Sequence, residues 1–156
     1  MNQTRRSFLR AGMAVGTVAI AAGAGLLTPS SVLAAWPKSA FTEKKMDKAI
    51  NILTGSSSPA DSAKIKVDAP DIAENGAVVS ITVESTLEDI ETISVFVPAN
   101  NSPLCSSYVL SKQSDGVITG RIKMAKTSDV IAVVKAGGKL HTAKKSVKVT
   151  LGGCGG

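Results

Sequence analysis

The chain has 156 residues, a formal net charge of +6, 3% aromatic residues, two cysteines and one histidine. Such a length suits a single domain, and Cys105 and Cys154 are too few for a disulfide scaffold or a zinc site. With His141 as the sole histidine, no metal-ligand constellation and no cofactor motif is recognisable. Beyond residue 34 the aromatics are Trp36, Phe41, Phe96 and Tyr108, which offer no stacking platform for nucleic acid.

Residues 1–34 read as an export signal that lies outside the fold. Thr4-Arg5-Arg6-Ser7-Phe8-Leu9-Arg10 is a twin-arginine motif, and an apolar run rich in Ala and Gly follows over residues 11–27. Val32-Leu33-Ala34 then presents compact residues where a signal peptidase reads, so cleavage is expected after Ala34. A membrane anchor is the competing reading, but the run is barely long enough to span and is weakened by its glycines. Export places the mature chain in a bacterial periplasm, where disulfides persist. The twin-arginine route handles proteins that fold or assemble before crossing. For a small domain without a cofactor, that choice points to a companion that travels with it.

Removal of residues 1–34 leaves 122 residues. Arg5, Arg6 and Arg10 leave with the signal, so 15 of the 18 basic residues remain against 12 acidic ones, a net charge of +3. A mildly basic surface favours anionic substrates, though weakly.

Residues 35–58 are expected to form an arm and one helix. Ser39 or Thr42 is placed to cap it, Glu43 lies in its first turn, and Met46, Ala49, Ile50 and Leu53 share one face. Gly55 ends it. From Pro59 the period changes to two. Ile65 and Val67 open a strand that stops at Pro70, and Glu74-Asn75-Gly76 marks a turn, with Asn-Gly suited to positive φ. Val79, Ile81 and Val83 form one buried face, and Ile93, Val95 and Val97 another. The segment Pro98-Ala99-Asn100-Asn101-Ser102-Pro103 reads as a loop.

A short strand follows over residues 106–112. Asp115-Gly116 then turns the chain into Ile118, Gly120, Ile122 and Met124, with Arg121 and Lys123 facing outward. Residues 129–136 are apolar on both faces, as in a central strand, Gly137-Gly138 is a hairpin turn, and residues 140–151 return as the final strand or strand pair. Six to eight short strands with regular turn signals, and no βαβ alternation, predict an antiparallel β-sandwich over residues 59–151.

The final residues, Leu151-Gly152-Gly153-Cys154-Gly155-Gly156, set one cysteine among four glycines. Glycine loses more conformational freedom on ordering than any other residue, so residues 152–156 are expected to be a flexible arm. Fully extended, Val149 to Cys154 spans roughly 17 Å at 3.3–3.6 Å per residue. A thiol on such a leash suits delivery into other proteins' pockets. An unperturbed thiol is only ~3% thiolate at neutral pH, and no base stands beside Cys154 in the sequence. The cysteine therefore reads as a passive carrier, activated inside a partner's site.

Gly-Gly-Cys-Gly-Gly at the terminus, after a strand bearing Lys144, Lys145 and Lys148, resembles the SoxY family, the sulfur-carrying subunits of bacterial thiosulfate oxidation. The resemblance extends through Ile72-Ala73-Glu74-Asn75-Gly76-Ala77-Val78-Val79 and Lys135-Ala136-Gly137-Gly138-Lys139, and covers nearly the whole chain. It implies an immunoglobulin-like sandwich and a covalent carrier role for Cys154. Gly152, Gly153, Gly155 and Gly156 match the family's swinging arm. The implied partners are a Z subunit forming a heterodimer, a thiosulfate-loading c-type cytochrome, a sulfate-releasing hydrolase and, in some organisms, a sulfane dehydrogenase. Those partners would carry the catalysis, with this chain as substrate and shuttle.

Cys105 departs from the family's Pro-Leu-x-Ser segment. It is either a buried small hydrophobe or a partner for Cys154 or another chain. Two other functions compete: an interaction module using Cys154 for an interchain disulfide, and a Gly-Gly thiocarboxylate carrier with Gly156 as the reactive end. The export signal and strand pattern count against the second.

Overall fold

The computed structural model describes residues 37–152. The export signal, Trp36, and Gly153, Cys154, Gly155 and Gly156 lie outside the described residues. Two short helices come first, α1 (Lys38–Thr42) and α2 (Met46–Thr54), in place of the one helix expected. Neither Ser39 nor Thr42 caps: the helices start after Pro37 and Lys45, without a side-chain cap. Instead the Glu43 carboxylate accepts from the N–H groups of Lys44 (2.9 Å) and Lys45 (3.0 Å), breaking the helical path between them. Gly55, at φ 78°, closes α2 with its N–H on the Asn51 carbonyl, as a left-handed C-terminal cap requires.

Nine strands follow: β1 (Ala60–Asp61), β2 (Ile65–Asp68), β3 (Ile72–Asn75), β4 (Val79–Ser85), β5 (Ile90–Phe96), β6 (Leu104–Val109), β7 (Val117–Ile122), β8 (Ser128–Ala136) and β9 (Lys139–Leu151). The larger sheet runs β1-β9-β8-β5-β6, with β3 also on β9, and the smaller runs β2-β4-β7. The β-sandwich expected from the alternation is present. Its pairs are antiparallel except along the outer side of β9, where β1 and β3 both run parallel. No local pattern announced those two parallel pairings, because they join segments more than 70 residues apart.

Side-chain alternation sorts the residues into two cores. Between the sheets lie Val79, Ile81 and Val83 of β4, Ile93 and Val95 of β5, Val130, Ala132 and Val134 of β8, and Val147 of β9. On the other face of the larger sheet, Phe96, Leu104, Val133 and Leu140 meet Ala40, Ala49 and Ile50 of the helices. This second core explains why β8 is apolar on both faces: it is covered on one side by the smaller sheet and on the other by α1 and α2. Each fully buried Val, Ile or Phe contributes about 1.5–3 kcal/mol over leaving it exposed.

Turn chemistry then sets the register. Gly137 and Gly138, at φ 54° and 73°, form the two-residue hairpin joining β8 to β9. Gly116, at φ 69°, opens β7; a Cβ there would lie 2.5 Å from the Ser85 carbonyl oxygen. The Asn75-Gly76 turn forms without positive φ, contrary to expectation. The Asn75 side chain instead accepts from the Ala77 N–H at 2.8 Å, and the Val78 N–H reaches the Asn75 carbonyl at 3.4 Å. Asn75 acts through its amide as the first residue of the turn, so no left-handed residue is needed.

Candidate functional site

Chain direction puts the loops at two ends of the sandwich. The β3–β4, β5–β6 and β7–β8 loops share one end with the last residues of β9, and the β4–β5, β6–β7 and β8–β9 loops share the other. The candidate site is the first of these ends, where β9 leaves the core. Val147 is fully buried, Val149 half-buried, and Leu151 is 70% exposed. The alternation seen in sequence therefore fades outward, and Leu151 lies beyond the buried part of the strand.

The strand is nevertheless held to its last residue. Parallel pairing sets Ile72 against Lys148, Ala73 against Val149 and Asn75 against Leu151. Thr150 Oγ1 donates to the Glu74 carbonyl at 3.0 Å, and the Val149 N–H donates to Thr127 Oγ1 at 2.9 Å. The buried Gly76 N–H donates to the Leu151 carbonyl at 2.7 Å, while the Gly76 carbonyl accepts from the Met124 N–H at 2.7 Å. One turn thus bridges β9 to the β7–β8 loop.

Gly152 comes next, directly over that loop. A Cβ on it would sit 2.3 Å from the Ala125 carbonyl oxygen, a separation that no side chain tolerates. Glycine is therefore required at position 152 for close backbone approach. The Ala125 segment is fixed in turn by Asn100. Its Oδ1 accepts from the Ala125 N–H at 2.9 Å, and its Nδ2 donates to the Lys123 carbonyl at 2.8 Å. Asn100 was legible in sequence only as part of a Pro-bounded loop, and nothing local marked it as a hub.

Cys105 lies at the same end. It points inward against the main core as a free, half-buried thiol, with Asn100 Nδ2 and the Pro103 carbonyl each 3.6 Å from its sulfur. Burial pushes this thiol up to about 11, more than the contacts from Asn100 and the Val97 backbone lower it. A thiol so protonated is a poor nucleophile near neutrality.

The lysines of β9 form a solvated face. Lys145 pairs with Asp71, whose carboxyl is held below the usual range by that hydrogen bond, and Lys144 lies 3.8 Å from Asp129. His141 pairs across to Val134 near the start of β9, about 33 Å along the strand from Leu151 at 3.3 Å per residue. Among the described residues, no three His, Cys, Asp or Glu side chains gather as metal ligands would. The hollows of about 400 and 480 Å³ lie at the opposite end, walled by the β4–β5 and β6–β7 loops and the end of β6.

The observation that decides the family is a sequence match to the "Sulfur oxidation protein SoxY" family over residues 50–154, which runs through the root and ends on Cys154. The chain belongs to the SoxY family. It is also similar to the solved structure of the sulfur carrier protein SoxY from Chlorobium limicola f thiosulfatophilum. The identity is 42%, covering 69% of this chain and 97% of that one, with a TM-score of 0.63. A superoxide reductase (neelaredoxin) from Ignicoccus hospitalis matches at 16% identity over 55% of this chain and 80% of its own, with a TM-score of 0.49. No curated protein matches the chain. Within the SoxY-family match fall all of β1 to β9, the hub Asn100 and both cysteines.

Proposed function

We propose that this chain is a periplasmic sulfur carrier that bears thiosulfate-derived sulfur on Cys154 and presents it to the enzymes of sulfur oxidation. The observation that carries this reading is the root of the arm. A rigid sandwich holds β9 as far as Gly152, and the thiol of Cys154 follows two residues later in a sequence with no other side chain. Glycines on both sides of the cysteine let a narrow active-site channel accept it.

The chemistry follows from the thiol. Loading joins the Cys154 sulfur to the outer sulfur of thiosulfate, forming one S–S bond. Two electrons are released to a c-type cytochrome partner, and the thiol proton goes to water. A hydrolase then cleaves the terminal sulfur–sulfonate bond with water, releasing sulfate and leaving a persulfide on Cys154. A sulfane dehydrogenase, where present, oxidises that outer sulfur. The sequence sets no base beside Cys154, so in this reading activation of the thiol belongs to the partners.

Export rests on the twin-arginine motif and Ala34, and co-export on a Z-type subunit. For that subunit β6 offers an unguarded edge: Leu104-Cys105-Ser106-Ser107-Tyr108-Val109 carries no charge, and Val109 is 84% exposed. Intact-mass measurement of the mature protein from thiosulfate-grown cells, with and without reductant, tests the proposal. Additions of sulfur or sulfonate mapped to Cys154 and removed by reductant are expected. An unmodified thiol, or a uniform interchain disulfide, refutes it.

A further inference from the structure

A carrier must let its thiol travel, yet this structure holds the chain as far as Leu151 and packs Gly152 closely. The bonds at the root form a closed circuit. Asn100 of the β5–β6 loop grips Lys123 and Ala125 of the β7–β8 loop, at 2.8 and 2.9 Å. The carbonyl of Ala125 backs Gly152. Gly76 of the β3–β4 turn ties Met124 to Leu151, and Thr127 ties the same loop to Val149. Three loops thus converge on the end of β9. Asn100 is the only side chain in this circuit that bonds two backbone groups of the β7–β8 loop among the described residues.

We propose that Asn100 is a positioning residue: it holds the β7–β8 loop as a seat for Gly152 and so limits Cys154 to a leash of two residues. This deepens the carrier reading and rests on it. From Gly152, the Cα of Cys154 reaches at most about 7 Å, against the roughly 17 Å expected from a leash starting at Val149. An enzyme working on the cargo must bring its reacting atoms that close to the sandwich. The rim around Gly152 is therefore the docking face, comprising the β3–β4 turn with exposed Val78, the β5–β6 loop with Asn101, and the β7–β8 loop with Lys123 and Lys126. The fitting partner is an enzyme whose catalytic centre lies at the foot of a short channel, narrow enough to need the glycines and set in a face shaped to receive this end of the carrier.

Asn100→Ala and Gly152→Ala are the variants, each made in the full mature chain with its companion subunit. The second places a methyl where the Ala125 carbonyl stands and acts on an exposed residue just past β9, so it tests the seat even if Asn100→Ala folds poorly. Backbone ¹⁵N relaxation and amide exchange at Val149, Leu151 and Gly152 read the clamp directly, whatever the protein's function. Both variants are expected to speed exchange there about tenfold or more. Loading of Cys154 from thiosulfate by the c-type cytochrome partner is expected to fall about tenfold in kcat/KM, while alkylation by iodoacetamide changes less than twofold. Asn100→Asp keeps the acceptor for the Ala125 N–H and is expected to recover part of the loss. Wild-type protection at Leu151 and Gly152 in both variants refutes the clamp. Loading unchanged although the root has loosened refutes the positioning role. A wild-type protein that takes no adduct refutes the carrier reading, leaving the exchange data to judge the clamp on their own.

Discussion

Cys105 and Cys154 are predicted to differ sharply in reactivity, and the structure sets the size of the difference. With its pKa pushed up to about 11 by burial, the Cys105 thiol is ionised to about one part in 10⁴ at pH 7. An unperturbed thiol with pKa near 8.5 is ~3% ionised, about 300-fold more. The more basic thiolate is the better nucleophile, and a Brønsted slope of about 0.4–0.5 returns roughly tenfold of that. A net preference of at least about 20-fold remains for an open thiol, before steric exclusion is counted. The assay is modification by an aromatic disulfide reagent at pH 7, followed by peptide mapping with time. Cys154 is expected to account for the fast phase and Cys105→Ser to leave that phase intact. Labelling of the two cysteines within about fivefold of each other, or loss of the fast phase in Cys105→Ser, would refute the reasoning. The same burial has a stability signature. Because the folded pKa is raised, the neutral thiol's contribution is complete below the ordinary value of 9.0 and is lost as pH rises towards 11, a total of about 2–3 kcal/mol. Cys105→Ala should lack that slope.

Three further outcomes follow from the fold. Gly116→Ala forces a methyl against the Ser85 carbonyl at positive φ and is expected to cost at least about 2 kcal/mol, lowering the melting temperature by about 10 °C in a thermal scan. Phe96→Ala empties the fully buried position between β5 and the helices and should cost about 3–5 kcal/mol by denaturant titration, with α2 losing amide protection alongside β5. Glu91, whose carboxyl is held low by the Lys135 ammonium 2.8 Å away and by the Gly138 N–H, contributes stability that is present above its unfolded pKa and lost as pH falls through its folded one. Glu91→Gln should therefore flatten the acid side of the stability profile below about pH 4.5, measured by melts at stepped pH.

What the sequence made legible was whatever depends on period and on nearest neighbours. The inward faces Val79-Ile81-Val83 and Ile93-Val95-Val97, the two-sided strand β8, the Gly137-Gly138 hairpin and the Gly55 stop all follow local rules, and all are present. What stayed hidden depends on distant segments meeting. Parallel pairing of β3 with β9 needs Ile72 beside Lys148, and no window of either strand contains that information. The same holds at the candidate site. The cysteine between glycines was visible at once, but the seat beneath Gly152 exists only because Asn100, Gly76 and Ala125 arrive from three separate loops. The helix caps failed for a subtler reason: Glu43, expected inside a helix, turns its carboxylate onto the backbone between two.

β9 lies between β8 on one side and β1 and β3 on the other, and it is the last element made. The segments β1 and β3 must wait, unpaired on that edge, until nearly the whole chain has left the ribosome. Among the described residues, the larger sheet therefore closes only when its last strand is in place. A chain broken off at the start of β9 would leave β1, β3 and β8 without the strand on which all three pair.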